Sequence, residues 1–189
     1  MQRPAVFLDR DGTLMEEVDY CRDPAQVRVF ADVPAALLKL KQAGFLLILI
    51  TNQSGIGRGI LSTSDFEAVQ AEFSRQLGDP SLLDGVYYAP EAPGEPSTRR
   101  KPAPGMLLEA AAEHHIDLSA SWTIGDKSSD IEAGRAAGTR TILVLTGYGR
   151  RQTNCHADFT VSDIRAAIKI ILPAIGRRIR LDPADGFAW

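Results

Sequence analysis

Short apolar runs alternate along this chain with longer segments whose apolar residues recur at helical spacing. The runs cover residues 5–8, 45–50, 86–88, 122–124 and 141–145. Unbroken runs of this length are typical of strands that are buried on both faces, as the strands of parallel sheets are. They therefore predict five strands of a parallel sheet.

The intervening segments predict five helices, at residues 32–43, 62–77, 104–115, 129–137 and 163–172. The first begins at Asp32, a residue type that caps helix N-termini, and is followed by Gly44, which favours a helix stop. Strands that alternate with helices indicate βαβ units, whose right-handed crossovers place helices on both faces of the sheet. The predicted fold class is therefore α/β.

The pattern indicates a single domain over residues 1–175. No internal repeat interrupts it. The stretch at 90–98, rich in proline, glycine and serine, is interpreted as a loop because neither side of it alone supplies a full core. Residues 176–189 mix arginine, aspartate, proline and glycine, so we expect a loosely ordered C-terminal tail.

Composition counts against several classes of protein. Of the 189 residues 44% are hydrophobic and 24% charged, as in ordinary globular proteins, and the net charge of −3 disfavours a nucleic-acid-binding protein. The N-terminus does not resemble a signal peptide, and no apolar stretch approaches the ~18 residues of a membrane span. Cys21 and Cys155 lie too far apart for a CxxC metal motif. We expect a cytoplasmic monomer with no membrane or nucleic-acid partner.

Polar and charged residues follow the predicted strands at the edge where ligands bind in open α/β sheets. Residues 9–13 (DRDGT) follow the first strand, 51–55 (TNQSG) the second and 125–130 (GDKSSD) the fourth, while 99–102 (RRKP) precede the third helix. Because the carboxyl ends of parallel strands share one edge, we expect their carboxylates, hydroxyl, amide and cation to gather there.

Each of these segments alone also fits a purely structural role. A DxD pair is common in turns, and Thr51 and Asn52 can simply end a strand. Lys101 fits a solvated loop residue, and Asp126 fits a helix cap. Their occurrence together, in order and at successive strand ends, favours a functional site.

This set of side chains suits phosphoryl transfer. Clustered carboxylates need a cation, and oxygen ligands favour Mg²⁺, the usual metal of phosphate chemistry. Asp9 would attack the phosphorus and form an aspartyl-phosphate, and Asp11 would protonate the leaving oxygen and later take a proton from water. Lys101 and the hydroxyl of Thr51 would hold the phosphoryl oxygens.

The four segments DRDGT, TNQSG, RKP and GDKSSD resemble the four motifs of the haloacid dehalogenase (HAD) superfamily of aspartate-dependent phosphatases. Longer stretches, among them FLDRDGT, ITNQSGIGRG, DGVYYAP and RKPAPGML, resemble the heptose bisphosphate and histidinol-phosphate phosphatases of that superfamily over about residues 4–150. The resemblance implies a three-layer Rossmann-like HAD fold. No insertion is long enough for a separate cap domain.

The resemblance also implies a role for each site residue. Asp9 would be the nucleophile and a Mg²⁺ ligand, Asp11 the acid/base and, through its backbone carbonyl, a second ligand, and Asp126 the third. Thr51 and Lys101 would hold the transferring phosphate. The residues implied to contact the substrate are Glu17, Val18, Asp19 and Tyr20 on a short flap, together with Asn52, Gln53, Ser54, Arg100 and Lys127.

One departure from the family lies between the third strand and the RKP motif. Members often carry a zinc loop there, Cys-x-His followed by Cys-x-Cys, but residues 89–99 of this chain contain neither cysteine nor histidine. We therefore expect Mg²⁺ and no zinc. Since this loop would lie beside the substrate, its change leaves the exact sugar phosphate open.

The function that the resemblance implies is removal of the 7-phosphate from a phosphorylated sugar, D-glycero-D-manno-heptose 1,7-bisphosphate. The alternatives are a phosphatase of histidinol phosphate or another small metabolite and, from another class, a receiver-like domain that is phosphorylated without turnover. A polynucleotide 3′-phosphatase is disfavoured by the acidic charge balance. An aspartate at the end of the first strand, with a second acid two residues on, favours the enzyme over the receiver.

Overall fold

The five apolar runs and a sixth, unpredicted segment form six parallel strands, and helices cover both faces of the resulting sheet. The structure is a computed structural model that describes residues 2–79, 81–152 and 155–178, with side chains as far as 173. Its strands are β1 (Ala5–Leu8), β2 (Leu46–Asn52), β3 (Gly85–Ala89), β4 (Trp122–Gly125), β5 (Arg140–Val144) and β6 (Phe159–Val161). Its α-helices are α1 (Val33–Gln42), α2 (Ser54–Gly57), α3 (Thr63–Leu77), α4 (Gly105–His114), α5 (Ser128–Ala137) and α6 (Ile164–Arg178).

The strand order is β3-β2-β1-β4-β5-β6, and every neighbouring pair is parallel. β1 pairs with β2 on one side and with β4 on the other, so the direction of winding reverses at β1. This is the Rossmann-like arrangement predicted from the sequence. A reversal of this kind opens a crevice beyond the carboxyl ends of the strands, where ligands bind.

Alternate residues of the strands contribute to two separate apolar layers. In β1, Val6 and Leu8 face one layer while Ala5 and Phe7 face the other, and all four are fully buried. The first layer is completed by α1, α3 and α6, and the second by α4 and α5. Burial on both faces explains why the strands are unbroken apolar runs.

Local signals set several helix ends close to their predicted positions. α3 begins after Ser62, whose hydroxyl accepts from the N–H of Asp65 at 3.1 Å, while the Asp65 carboxylate accepts from the N–H of Ser62 at 2.7 Å. α3 and α5 end at Gly78 and Gly138, with φ of 82° and 88°. Glycine adopts this left-handed conformation at little cost, which explains the stops.

The sequence pattern does not predict α2, because four residues are too few to show a helical period, or β6, because Phe-Thr-Val is not an unbroken apolar run. α6 continues to Arg178, past the predicted end at 172, with Pro173 inside it. The predicted tail starts at residue 176, so its residues 176–178 belong to α6 instead, and the rest of it lies outside the described residues.

The chain between β1 and α1 forms a folded loop at the carboxyl edge of the sheet. Leu14 and Met15 anchor this loop in the core, and Met15 pairs with Val29 across it. Within the described ranges no additional domain covers this edge, in agreement with the short insertions of the sequence. No helix in those ranges is both long and apolar enough to cross a membrane.

Candidate active site

β1 delivers two aspartates to the carboxyl edge of the sheet. Asp9 follows the strand directly, and its backbone N–H donates to the carbonyl of Ile124 in β4 at 3.0 Å, which fixes the start of the loop. Asp11 comes two residues later, just before Gly12 turns the chain with φ of 85°. The two carboxylates therefore leave the same strand end but enter different surroundings.

Three buried carboxylates, here named the acidic floor, lie at the base of the site. Asp9, Asp126 and Asp130 are 5%, 0% and 1% exposed, and one oxygen of each lies within 4.8 Å of the others. Carboxylates this close repel one another, and burial removes the water that stabilises their charge. The acidic floor is therefore a place of unfavourable negative charge.

Lys101 lies in contact with the acidic floor. Its Nζ is 2.6 Å from Asp9 Oδ1 and 2.6 Å from Asp130 Oδ1, and it donates to the carbonyl of Ile50 in β2 at 2.9 Å. Burial alone would lower the pKa of this amine, but the charges of Asp130 and Asp9 outweigh burial and raise the pKa. Lys101 is therefore a buried ammonium that offsets one of the three negative charges.

Burial and the remaining negative charge together raise the pKa values of two aspartates. Burial raises the pKa of Asp9 to about 6, although the ammonium of Lys101 opposes the change. Burial also raises the pKa of Asp126 to about 8, and the charges of Asp9 and Asp130 act in the same direction. A bound cation would favour the ionised forms again, so the electrostatics of the acidic floor suit a metal ion.

The donor atoms also fit a hard divalent cation. Every candidate ligand of the acidic floor is a carboxylate oxygen, the donor type that Mg²⁺ prefers. Asp126 Oδ2 accepts from the N–H of Tyr148 at 2.7 Å, whereas Asp126 Oδ1 is buried without a hydrogen-bond partner among the described residues. Coordination to Mg²⁺ would satisfy that oxygen.

Two glycines leave room for the Asp126 carboxylate. A Cβ atom at Gly12 would lie 2.4 Å from Asp126 Oδ2, and a Cβ atom at Gly147 would lie 2.3 Å from the same oxygen. Neither contact is possible for a larger residue without displacing the carboxylate. The two glycines therefore keep the proposed metal ligand in place.

Asp130 is a residue of the site that the sequence reasoning missed. It lies in the first turn of α5, where its Oδ2 accepts from the N–H of Lys127 at 2.9 Å, so it caps the helix and also completes the acidic floor. The signal that could have revealed it is the glycine of the GDKSSD segment. A Cβ atom at Gly125 would lie 2.3 Å from Asp130 Oδ2, so the glycine marks a close approach.

Asp11 lies to one side of the acidic floor, in a group here named the acid side, with Arg10, Thr51 and Gln53. The Asp11 carboxylate accepts from Arg10 Nη2 at 3.1 Å and from Gln53 Nε2 at 2.9 Å, and Thr51 Oγ1 is 3.4 Å away. Its side chain is 14% exposed and borders the cleft. Asp11 is thus held at a position from which a proton can be passed to a bound ligand.

Asn52 holds the lysine of the RKP motif through the backbone. Its Nδ2 donates to the carbonyl of Lys101 at 3.0 Å, and its Oδ1 accepts from the N–H of Lys101 at 3.0 Å. This two-point contact places the RKP segment against the end of β2. It supports a positioning role for Asn52, while the predicted substrate contact stays a prediction.

The flap at residues 17–20 reaches the opposite side of the cleft through an ion pair. Glu17 Oε2 is 2.9 Å from Lys127 Nζ, which lies 4.8 Å from the centre of the Tyr148 ring. Burial raises the pKa of Glu17 despite the contact with Lys127. Burial would lower the pKa of Lys127, but the charges of Asp9 and Glu17 outweigh it and raise that pKa.

A cleft of about 250 Å³, close to the lower limit for ligand cavities, separates the acidic floor from the flap. The predicted site residues that line it are Asp9, Asp11, Glu17, Val18, Asp19, Tyr20, Thr51, Asn52, Gln53, Ser54, Lys101 and Lys127. Lining residues that were not predicted are Arg10, Cys21, Gly55, Ser129, Asp130 and Tyr148. Asp126 is fully buried and does not line the cleft, which suits a metal ligand better than a substrate contact.

Arg100 does not line the cleft either. Its Nη1 donates to the carbonyl of Glu91 at 3.1 Å, so the guanidinium is directed at the loop of residues 89–99. Burial lowers its pKa, and the guanidinium of nearby Arg58 lowers it further. Arg58 in turn lies 5.8 Å from the centre of the Tyr20 ring, which places both arginines near the flap.

Hydrogen bonds shape the loop that contains neither cysteine nor histidine. The N–H of Ala92 donates to the carboxylate of Glu95 at 2.7 Å, and the hydroxyl of Ser97 accepts from the N–H of Arg100 at 2.9 Å. Together with the bond from Arg100 to Glu91, these contacts tie the loop to the residue before Lys101. The loop is therefore closed by its own polar groups.

Comparisons with known proteins agree with this geometry. The HAD-hydrolase-like family model matches residues 98–167. The chain is 36% identical to a D-glycero-D-manno-heptose-1,7-bisphosphate 7-phosphatase of Thermosynechococcus vestitus (94% of this chain, 100% of the relative). It is 39% identical to a D-glycero-beta-D-manno-heptose-1,7-bisphosphate 7-phosphatase of Pasteurella multocida (88% and 97%).

A solved structure is similar over most of the chain. It is a D,D-heptose 1,7-bisphosphate phosphatase from B. bronchiseptica in complex with magnesium and phosphate, with a TM-score of 0.83 and 29% identity. The match covers 90% of this chain and 99% of that one. The likeness therefore extends over nine-tenths of this chain and nearly all of the solved structure.

The Rossmann-like sheet, with a buried aspartate at the end of β1 beside a lysine and a carboxylate cluster, defines a HAD-type phosphatase. Within that class, the chain belongs to the family of heptose 1,7-bisphosphate 7-phosphatases. The receiver-like alternative is thereby set aside, because these relatives are hydrolases.

Proposed function

We propose that this chain is a Mg²⁺-dependent phosphomonoesterase that removes the 7-phosphate of D-glycero-D-manno-heptose 1,7-bisphosphate. The observation that carries the proposal is the buried pair of Asp9 and Lys101, 2.6 Å apart at the edge of the acidic floor. The names of the curated relatives support the sugar, and the neighbour in complex with magnesium and phosphate supports the metal.

In the first step, an oxygen of Asp9 attacks the phosphorus, and the bond between phosphorus and the sugar oxygen breaks. Asp11 gives its proton to the departing oxygen, so that oxygen leaves as a neutral hydroxyl group of the sugar. The ammonium of Lys101 already lies beside Asp9 and stabilises the phosphoryl oxygens as their charge shifts. The hydroxyl of Thr51, at the border of the cleft, adds a hydrogen bond.

In the second step, the ionised Asp11 takes a proton from water, and the resulting hydroxide attacks the phosphorus of the aspartyl-phosphate. The bond from phosphorus to Asp9 breaks, which releases inorganic phosphate and restores both aspartates. One group thus acts first as acid and then as base, and this requires it to stay in the same place in both steps.

Mg²⁺, when bound, supplies the positive charge that lets an anionic phosphate approach the carboxylates. Asp9 and Asp126 would hold it through carboxylate oxygens and Asp11 through its backbone carbonyl. Asp130, whose Oδ1 contacts Lys101 and whose Oδ2 caps α5, fixes the lysine. We propose no zinc site, because residues 89–99 offer no thiolate or imidazole.

Arg100 is proposed to recognise the second phosphate of the substrate, at carbon 1. Its present partner is the neutral carbonyl of Glu91, and a phosphate dianion is a stronger acceptor for a guanidinium. Arg58 brings a second positive charge to the same surroundings. The two charges together support recognition of an anionic group away from the reacting phosphate.

A substrate panel tests the proposal. Phosphate release with Mg²⁺ would be measured on both heptose 1,7-bisphosphate anomers, fructose 1,6-bisphosphate, histidinol phosphate and a 3′-phosphorylated oligonucleotide. We expect the highest kcat/KM on a heptose bisphosphate, many turnovers per enzyme, and a product that keeps its 1-phosphate. A higher kcat/KM on histidinol phosphate would favour that alternative instead. EDTA should remove the activity, and stoichiometric zinc in the purified protein would contradict the metal assignment.

The setting of the enzyme stays a prediction. We propose a cytoplasmic monomer without a nucleic-acid or membrane partner, supported by the net charge of −3. Sedimentation of the purified protein tests the monomer, and retention on DNA or vesicles at low salt would speak against the absence of those partners.

A further inference from the structure

A buried arginine lies between the two aspartates of the DRDGT segment. Arg10 is 1% exposed, and its guanidinium donates to Asp11 through Nε at 3.2 Å and through Nη2 at 3.1 Å. Nη2 is also 3.1 Å from the second oxygen of the Asp11 carboxylate. Arg10 therefore contacts both oxygens of the group that is proposed to carry the proton.

α3 holds this guanidinium from the other side. Arg10 Cζ lies 5.4 Å from the centre of the Phe66 ring, and Arg10 Nη1 donates to Gln70 Oε1 at 3.3 Å. Phe66 packs in turn against Tyr88 of β3, with ring centres 4.5 Å apart. Arg10 thus connects the Asp11 carboxylate to a helix and a strand of the sheet.

Burying Arg10 costs folding free energy, so stability alone does not explain its position. A fully buried guanidinium loses its hydration, and an apolar side chain of similar volume is often as stable or more so in such a place. Asp11 is 14% exposed at the cleft, so water could satisfy its carboxylate without an arginine. What water does not provide is a single orientation of the carboxyl group.

We infer that Arg10 is a positioning residue that orients the Asp11 carboxyl toward the leaving oxygen of the substrate. The inference rests on the proposed role of Asp11 as acid and base. All three guanidinium nitrogens have partners in Asp11 or Gln70, so the geometry assigns Arg10 to the acid side and not to the phosphate.

Substrates with different leaving groups distinguish this positioning role of Arg10 from a purely structural one. A sugar alkoxide is a poor leaving group and needs the proton of Asp11 as the phosphorus–oxygen bond breaks. p-Nitrophenolate is a stable anion and leaves without it. Because kcat/KM reports the reaction up to the first irreversible step, it isolates transfer of the phosphoryl group to Asp9 for both substrates.

The experiment compares Arg10→Gln and Arg10→Lys with the wild type, in Mg²⁺, on the sugar phosphate with the highest activity and on p-nitrophenyl phosphate. A misplaced acid costs about 10- to 100-fold. We therefore expect Arg10→Gln to lose that factor in kcat/KM on the sugar phosphate and less than roughly threefold on p-nitrophenyl phosphate. Arg10→Lys should recover part of the loss, because it keeps the charge but not the two-point contact.

Asp11→Asn is the reference, since it removes the acid itself, and should show the same selectivity more strongly. If Asp11→Asn is selective but Arg10→Gln loses equally on both substrates, Arg10 binds phosphate or supports the fold, and the inference is overturned. If Asp11→Asn also loses equally on both, the proposed role of Asp11 fails, and the inference fails with it.

Thermal unfolding shows whether the Arg10 variants are folded. If they are not, Gln70→Leu provides the test instead. This change removes the helix contact of Arg10 without touching the cleft lining. It should lower kcat/KM on the sugar phosphate several-fold, roughly 3- to 10-fold, and leave p-nitrophenyl phosphate unchanged. An unaltered ratio between the two substrates would overturn the inference.

Discussion

The acidic floor and the acid side lie next to each other, but carboxylate charge is left partly uncompensated in the first and is compensated by nearby donors in the second. In the acidic floor, three carboxylates share one ammonium, and burial raises the pKa of Asp9 to about 6 and that of Asp126 to about 8. On the acid side, the single carboxylate of Asp11 receives donors from Arg10 and from Gln53. One region lacks positive charge, and the other is already balanced by the protein.

The difference indicates which charge each region still needs from a ligand. The acidic floor reaches electrostatic balance only when Mg²⁺ binds, so its variants should alter the metal and the chemistry together. On the acid side the Asp11 carboxylate already has its donors, so changes to Arg10 or to the Asp11 carboxyl should alter proton transfer first. Near the flap, the side chains of Arg100 and Lys127 bond to Glu91 and Glu17 and not to Asp9 or Asp11. Their variants should therefore alter substrate binding first.

The largest expected effect breaks the acidic floor at its nucleophile. Asp9→Asn should lower kcat at least about 10⁴-fold while the protein stays folded, because an amide does not attack phosphorus as a carboxylate does. Steady-state phosphate release measures it. Glu67→Gln, an exposed change on α3 that also removes one negative charge, is the matched control and should keep full activity. Near-normal turnover of Asp9→Asn would make the nucleophile assignment wrong.

A second pair of variants contrasts Lys101, which contacts the acidic floor, with Lys127, which pairs with the flap. Lys101→Met should lower kcat by about 10²–10³-fold, the usual loss when a group that stabilises transition-state charge is removed. Lys127→Met removes the ion pair with Glu17 and the contact with the Tyr148 ring, and it should raise KM by about threefold to tenfold with a smaller change in kcat. Full kinetics on the same bisphosphate decide the point, and equal effects on kcat would show that the two cations do not differ in role.

Arg100→Ala sharpens the comparison at the substrate. A charge-assisted hydrogen bond to the remote phosphate contributes about 1.5–3 kcal/mol, so kcat/KM on the bisphosphate should fall roughly 10- to 150-fold. A monophosphate of the same sugar should lose much less, since it never makes the contact. Equal losses on the two substrates would instead place Arg100 at the reaction centre.

The smallest effect is a dependence of stability on pH and metal. Because folding raises the pKa of Asp9 and Asp126 from 3.8 to about 6 and about 8, the metal-free fold favours their protonated forms. Their contribution to stability is present below the unfolded pKa and is lost as the pH rises through these two values. Mg²⁺ binds the ionised forms, so it should stabilise the protein more at high pH than at low pH.

Thermal unfolding with and without Mg²⁺ measures this effect. At one fixed concentration, about 100 times its Kd at pH 8, Mg²⁺ should raise Tm by roughly 5–10 °C at about pH 8, and by clearly less at about pH 5.5, where protons weaken its binding. Asp126→Asn is the control and should remove most of the increase at both values of pH. An equal shift in Tm at the two values would show that protons and Mg²⁺ do not compete at the acidic floor.

The chain order of the motifs was sufficient to predict the fold and which segments meet. Apolar runs that alternate with helices specify a parallel sheet, and parallel strands all end at one edge. Asp9 and Asp126 directly follow β1 and β4, and Thr51 lies in the last two residues of β2, so the sequence alone brings them to one edge, which Lys101 reaches from a loop. No knowledge of the packing was needed for this step.

The tertiary structure decided which atoms at that edge touch. Lys101 reaches Asp9 across 92 positions of the chain, Asn52 holds Lys101 across 49, and Arg10 reaches Gln70 across 60. Such partners depend on how the helices pack on the sheet, because packing sets the direction and the burial of each side chain. Burial then sets the pKa of each carboxylate, and local sequence contains no measure of it.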